Sequence, residues 1–329
     1  HCVHCYADCY NNAKWAKENE LSTKQIKKLM DRLYDSGVLW FTFTGGDPMI
    51  REDFSELYDY AKRKGFIFSI MTSLVSLNDE ILEMMKKEPP FSIDMTLNAV
   101  DAKTYEDISQ VPGSFERVMN NIDKVIKAGL PLKIKTLISK KNIDQMEDIK
   151  AFIESKGMTF SPSTSIFSRL NGDPSNCVHR LSFDQMIGLG LDKFSATFDK
   201  DNIDKCDIST VEKDAPKDVF YKCAIGNWQW HIDPRGRLNI CSCVREPYYD
   251  LLNGDLIEGV KELSKYVRSR KYEKQTECSE CKIWYLCNSC PGKADLELKD
   301  ENKPVPYYCE LAKRKAIMID RANREHLAS

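Results

Sequence analysis

The chain has no apolar run approaching the ~18–20 residues of a membrane span, and neither sign of charge predominates. Its 48 Lys and Arg stand against 50 Asp and Glu, a formal net charge of −2. That balance argues against a strongly basic nucleic-acid face or a polybasic membrane patch. The N-terminus, His1-Cys2-Val3-His4-Cys5, is not an export signal, and no initiator Met precedes it. The expectation is a cytoplasmic fragment that has lost its true N-terminus, with neither nucleic acid nor membrane as partner. Disulfide density is low too. Thirteen cysteines in 329 residues, about 4%, fall below the ~8–10% of small disulfide scaffolds. Their grouping in C-x2-C units, without an export signal, favours metal over disulfides.

What is present is an ordinary globular composition, 42% hydrophobic and 30% charged, long enough for one large and one smaller domain. The first two thirds alternate helix-like and strand-like segments. Ser22–Ser36 has apolar residues at helical spacing, and Ser22 with Gln25 forms a capping-box signature. Val38–Thr44 is β-branched and aromatic, hence a buried strand. Helices follow near 53–64, 79–87, 114–128 and 143–156, with strands near 66–72, 92–98, 132–138 and 158–163. This rhythm predicts an α/β fold with a parallel sheet and right-handed crossovers. It reads either as a closed or partly closed (β/α) barrel, with chemistry at the C-terminal strand ends, or as an open doubly wound sheet. Residues 171–222 read as a polar connector with a helix from Ser182 to about Phe194. From Cys223 the chain is cysteine-rich, with a hairpin turning at Asp233-Pro234-Arg235-Gly236 and helices over 256–270 and 310–325.

Three features carry chemistry. Cys223 is followed by Gly236 and Cys241, then by Cys278-x2-Cys281-x5-Cys287-x2-Cys290 and Cys309. Thiolates suit iron–sulfur clusters or zinc, and these spacings alone fit either. Cys2-x2-Cys5, with Cys9 beyond, is a second group of thiols. Gly45-Gly46-Asp47-Pro48 follows directly on a strand, where two glycines let a small ligand approach the backbone and Pro48 fixes the exit turn.

Together these features resemble the radical S-adenosylmethionine (SAM) family with a C-terminal SPASM domain. Cys2-Val3-His4-Cys5 looks like the end of the family's C-x3-C-x-aromatic-C loop, with His4 in the aromatic position. On that match Cys2 and Cys5 are the second and third ligands of the SAM-binding [4Fe–4S] cluster, the first lies before His1, and Cys9 is a bystander. Gly45, Gly46, Asp47 and Pro48 resemble the motif that cradles the SAM amino group. Thr72, Thr96 and Asn98 stand at strand-end positions that the family uses around SAM, and Asn142 also fits. The C-terminal pattern resembles SPASM, although Cys290 comes one residue early. The resemblance implies an inner auxiliary cluster on Cys223, Cys241 and Cys290, with Cys243, Cys206 or an open iron completing it. Cys278, Cys281, Cys287 and Cys309 would hold an outer one.

The fold implied is a partial (β/α)6 TIM-like barrel over residues 1–170, the connector 171–222, and a SPASM domain over 223–329. The activity implied is an iron–sulfur oxidoreductase that cleaves SAM reductively to a 5′-deoxyadenosyl radical. Its electron donor would be a flavodoxin or ferredoxin, and its substrate a peptide or protein. Maturation of a ribosomally made peptide through a thioether or carbon–carbon crosslink is the leading expectation. An anaerobic sulfatase maturase is disfavoured, because Ser242 stands where those enzymes typically have an Asp. A haem or quinone cofactor enzyme and a non-catalytic zinc-binding module remain as alternatives.

Overall fold

In the computed structural model, which describes residues 2–7, 18–188, 219–223, 225–226, 229–272 and 276–327, the first half winds as helix and strand in turn. It runs α1 (Thr23–Asp35), β1 (Trp40–Phe43), α2 (Phe54–Arg63), β2 (Ile67–Thr72), α3 (Asp79–Lys87) and β3 (Ser92–Thr96). Two helices, α4 (Ala102–Ser109) and α5 (Ser114–Lys127), lead to β4 (Leu132–Leu137), α6 (Met146–Ser155) and β5 (Ser161–Ser163). The five strands pair in parallel in sequential order, the winding of a partial TIM-like barrel. Ser22 caps α1 through the expected box: its side chain accepts from Gln25 N, and Gln25 Oε1 takes Ser22 N at 2.9 Å.

Burial sorts the two faces of the sheet. Phe68, Ile70, Ile93, Met95 and Ile134 pack into one core with Tyr58, Met85, Val118, Ile122 and Ile153 from the helices. The alternate positions, among them Ser69, Asp94, Thr96, Lys133 and Lys135, turn the other way.

Several boundaries shift for identifiable reasons. The strand expected over 158–163 shortens to β5, where Pro162, lacking an N–H, is confined to the sheet edge. The helix expected over 143–156 begins as a 3₁₀ turn at Ile143–Gln145 before α6. Helix α4 was not anticipated: its short sequence AKTYEDIS buries only Tyr105, Ile108 and Ser109. It is started by Asp101, which accepts from Thr104 N at 2.9 Å.

Helix α7 (Phe183–Gly188) is the described part of the helix expected from Ser182. Cys9, Cys206 and the end of the helix expected to reach Phe194 lie outside the described residues. The C-terminal part holds a three-stranded antiparallel sheet of β6 (His231–Ile232), β7 (Arg237–Asn239) and β8 (Tyr248–Asp250). Asp233 nucleates its first turn, its Oδ1 accepting from Arg235 N at 2.9 Å and Arg237 N at 3.1 Å. Helices α8 (Leu256–Ser269), α9 (Pro291–Leu298) and α10 (Pro306–Leu327) follow. Leu21 and Leu29 share a second core with Phe220, Leu238, Ile240 and Leu263, so α1 packs on the C-terminal part as well as on the barrel. Arg32 on α1 reinforces this by donating to the carbonyls of Leu252 at 3.2 Å and Gly254 at 3.3 Å. Among the described residues no helix is long and apolar enough to cross a membrane.

His231 on β6 makes this sheet acid-sensitive. Burial, reinforced by Arg245 and opposed by Asp233, lowers its pKa from 6.5 to about 4, and its Nε2 is covered without a partner. The folded chain therefore holds it neutral, whereas the unfolded chain takes a proton near pH 6.5. Stability present at neutral pH is lost as pH falls from about 6.5 towards 4, by about 2 kcal/mol at pH 5. Urea midpoints at pH 7 and pH 5 should converge in His231→Gln relative to wild type; an unchanged pH dependence would remove His231 as the source.

Candidate active site

The Gly45–Pro48 turn leaves the C-terminal end of β1 with Gly45 at φ +143°, a backbone conformation that a side chain would strain. An added Cβ at Gly45 would meet nothing within 4 Å, so backbone geometry rather than crowding calls for glycine. Asp47 is buried, and its carboxylate ties β1 to the end of β2. Thr72 Oγ1 lies 2.9 Å from both of its oxygens, Ser73 N and Oγ donate to Oδ2 at 2.8 and 2.6 Å, and Met49 N donates to Oδ1 at 3.1 Å. With the carboxylate so occupied, what the turn offers a ligand is backbone. Pro48 opens a short 3₁₀ turn.

The two strand-end asparagines are likewise engaged. Asn98 Oδ1 accepts from Leu137 N at 3.2 Å, and Asn142 Nδ2 donates to the carbonyls of Asn98 at 2.7 Å and Leu137 at 2.9 Å. They clamp the ends of β3 and β4 together and leave Thr96 exposed between them.

The Cys2–Cys5 loop closes on itself through Cys5 N to Cys2 O at 2.9 Å, and is pinned to α4 through Val3 N to Ile108 O at 2.9 Å. Asn176 Nδ2 faces the carbonyls of His4 and Cys5 at 3.3 and 3.4 Å, and Leu170 N reaches Tyr6 O at 2.9 Å. Burial, with His179 nearby, lowers His4 to about 4, and its Nδ1 has no partner. Burial also pushes the Cys2 thiol up, and Cys5 adds to this. Tyr105 on α4 is buried, which raises its phenol, and the nearby Cys2 and Asp47 add to the shift. No local signal in the sequence marks α4, so nothing there singles out Tyr105.

The C-terminal thiols fall into two groups. Burial raises Cys278 to about 11, with Cys309, Cys287 and Cys281 adding to the shift, and Cys309 in turn feels Cys287 and Cys281. Cys290, raised mainly by burial, instead faces Cys241 and Cys223. Cys243 N donates to Cys241 Sγ at 3.2 Å. The bond from the Cys243 side chain lowers Cys241 to about 6 and pushes Cys243 up, and Cys290 also acts on Cys243. The backbone of Cys243 abuts Gly292 in the first turn of α9, the helix that Cys290 caps.

Tyr6 spans the gap to the N-terminal loop. Its ring packs 4.7 Å from Phe167, and its phenol is raised by burial, with Cys243 and Cys5 adding to the shift and Ser242 opposing it. Cys177 stands apart, its Sγ 3.7 Å from Ser168 Oγ and 3.6 Å from Asn176 Oδ1. Two groups of four thiols suit two iron–sulfur clusters as a donor set. Among the described residues no three potential ligands are arranged around a single metal ion; a cubane cluster needs no such convergence, because each thiolate takes its own iron.

Residues 1–153 match the Radical SAM superfamily. The match covers just under half of the chain, and the family it points to couples a [4Fe–4S] cluster to SAM. The "AdoMet-dependent heme synthase" of Nitratidesulfovibrio vulgaris is 31% identical over 156 residues, covering 47% of this chain and 42% of that protein. The "Mycofactocin maturase MftC" of Mycolicibacterium smegmatis is 27% identical over 159 residues, covering 48% of this chain and 39% of that one. The chain thus spans about two fifths of the length of the curated relatives it matches. Over 94% of its length it shares the fold of Streptococcus suis SuiB, in a structure bound to the precursor peptide SuiA (TM-score 0.69, 16% identity, 73% of that chain covered).

Proposed function

We propose that the chain is a radical SAM/SPASM iron–sulfur oxidoreductase that modifies a peptide, forming a thioether or carbon–carbon crosslink in a ribosomally made precursor. The observation that carries this reading is the sorting of the C-terminal thiols into two groups, with Cys243 N donating to Cys241 Sγ and the Cys243 backbone set against Gly292, two residues after Cys290. When bound, SAM and a reduced cluster supply a radical that abstracts hydrogen from the substrate. Cys2 and Cys5 would hold that cluster, with His4 between them. The Gly45–Pro48 backbone, Thr72, Thr96 and Asn98 would seat SAM at the strand ends. Cys278, Cys281, Cys287 and Cys309 would ligate an outer auxiliary cluster, and Cys223, Cys241, Cys243 and Cys290 an inner one. A flavodoxin or ferredoxin would deliver the electrons. Relatives that include a mycofactocin maturase and the peptide-bound SuiB fold support a peptide substrate.

Anaerobic reconstitution with iron and sulfide tests the reading. The expected result is a brown protein with equal iron and sulfide that releases 5′-deoxyadenosine from SAM after reduction. A colourless protein retaining zinc overturns it in favour of a zinc-binding module. Cys243→Ser should lower the iron content; an unchanged count removes Cys243 as a ligand. The 31% identity to a haem synthase favours a tetrapyrrole substrate as the second reading, and substrate-dependent SAM cleavage with an iron porphyrin but with no peptide would select it.

A further inference from the structure

In closed (β/α) barrels, bulky branched side chains fill the inner face. Here β4 reads LKIKTL, and its lysines occupy the positions opposite the helix-packed Ile134. Register sets Lys133 beside Asp94, and Lys135 between Thr96 and Ser161. Lys135 Nζ reaches diagonally to Asp94 Oδ1 at 2.8 Å, with Lys135 half-exposed (51%) and Asp94 nearly covered (11%). Ser92 Oγ donates to Asp94 Oδ2 at 2.7 Å, and the Ser69 and Ser92 hydroxyls lie 2.9 Å apart.

Asp94 is therefore partnered on both oxygens. The Lys135 ammonium, with three donors, has Asp94 as its one ion-pair partner among the described residues. Two lysines against one aspartate leave this wall net positive. Met71 pairs in register with Asp94, and its Sδ lies 3.8 Å from the hydroxyl of Thr44, the residue before Gly45. The pair thus sits just beneath the glycine turn. Charged groups on an inner sheet face are tolerated where that face is wet and a ligand of opposite charge can meet them.

We propose that Lys135, oriented by Asp94, binds a carboxylate of the substrate on the inner wall of the barrel, below the SAM turn. This deepens the peptide-modifying reading and rests on it: the peptide would carry an acidic side chain, or a free C-terminal carboxylate, next to the position modified.

Saturation-transfer NMR on the reconstituted, oxidised holoenzyme tests this without turnover. The probes are N-acetylglutamate α-amide for the side-chain carboxylate, N-acetylalanine for the terminal one, and N-acetylglutamine α-amide as the neutral isostere. At least one of the acids should bind and the glutamine probe should not, the stronger acid naming the source of the carboxylate. Lys135→Met should weaken that binding by about tenfold or more, and Lys135→Arg should retain it. Equal binding of acid and amide, binding by neither acid, or acid binding undiminished in Lys135→Met overturns the proposal and makes the pair purely structural. Should Lys135→Met fail to fold, the acid–amide comparison in wild type and Lys135→Arg decides. Release of 5′-deoxyadenosine by the same wild-type preparation reports separately on the enzyme reading, so the two can fail independently.

Discussion

Replacing Asp47 with alanine is expected to abolish 5′-deoxyadenosine formation and to lower the unfolding free energy by about 3 kcal/mol. The carboxylate accepts from Met49 N, Thr72 Oγ1, Ser73 N and Ser73 Oγ. Alanine strands all four donors, and Thr72 is itself buried, so water cannot readily replace the lost acceptor there. Each buried donor left unpaired costs about 1–3 kcal/mol, and the four share one acceptor, so their losses do not add. The catalytic effect follows from the same bonds. They fix the end of β2 against the Gly45–Pro48 turn, and a turn offering backbone to a ligand binds only while its backbone is held. Asp47→Asn should fall between, since one oxygen becomes an NH2 that faces donors. Urea midpoints and chromatographic measurement of 5′-deoxyadenosine would check both effects. A stable, active Asp47→Ala enzyme would show that the turn is held by something other than this carboxylate.

Periodicity and capping chemistry made most of the barrel legible in the sequence, because these signals are local. Ser22 with Gln25 marks the start of α1, and the β-branched and aromatic runs mark the strands. Helix α4 escaped because its first turn depends on Asp101, whose capping role is indistinguishable from any surface aspartate without the structure. The cysteine spacings displayed the thiols, and only the family resemblance divided them into an inner and an outer set, because which of them meet is a matter of tertiary structure. Cys287 and Cys290 are three residues apart, yet Cys287 acts on Cys278 and Cys309 while Cys290 faces Cys241 and Cys223. The use of Asp47 to bind Thr72 and Ser73 was hidden for the same reason: the partners are some 25 residues away and meet it only once β1 and β2 pair. The alternation in LKIKTL sets Leu132 and Ile134 on the face opposite Lys133 and Lys135, but that Lys135 meets Asp94 depends on the register of β3 and β4.

The largest loss of stability is expected at Arg180, whose guanidinium forms a bidentate pair with Glu297 at 2.9 and 2.6 Å, with the two side chains only 8% and 14% exposed. Tyr307 and Tyr308 flank it at 4.6 and 5.2 Å, and its Nε donates to Ile166 O at 2.8 Å. Arg180→Met keeps much of the apolar stem but leaves Glu297 buried and unpaired, at a cost of about 3–5 kcal/mol. Pairing it with Glu297→Met should restore much of that, because removing both charges avoids the uncompensated one. The pair also connects two parts of the candidate site. Arg180 closes the segment containing Asn176, which braces the carbonyls of His4 and Cys5, while Glu297 lies on α9, the helix capped by Cys290. Arg180→Met should therefore loosen the Cys2–Cys5 loop relative to the inner thiol group, reducing substrate modification more than iron content. Restored stability in the double variant, measured by urea denaturation, would isolate the charge pair as the cause. An unchanged midpoint in Arg180→Met would instead assign the hold on this segment to the two tyrosines, whose hydroxyls donate to the carbonyls of Leu181 and Ile166 at 3.0 Å each.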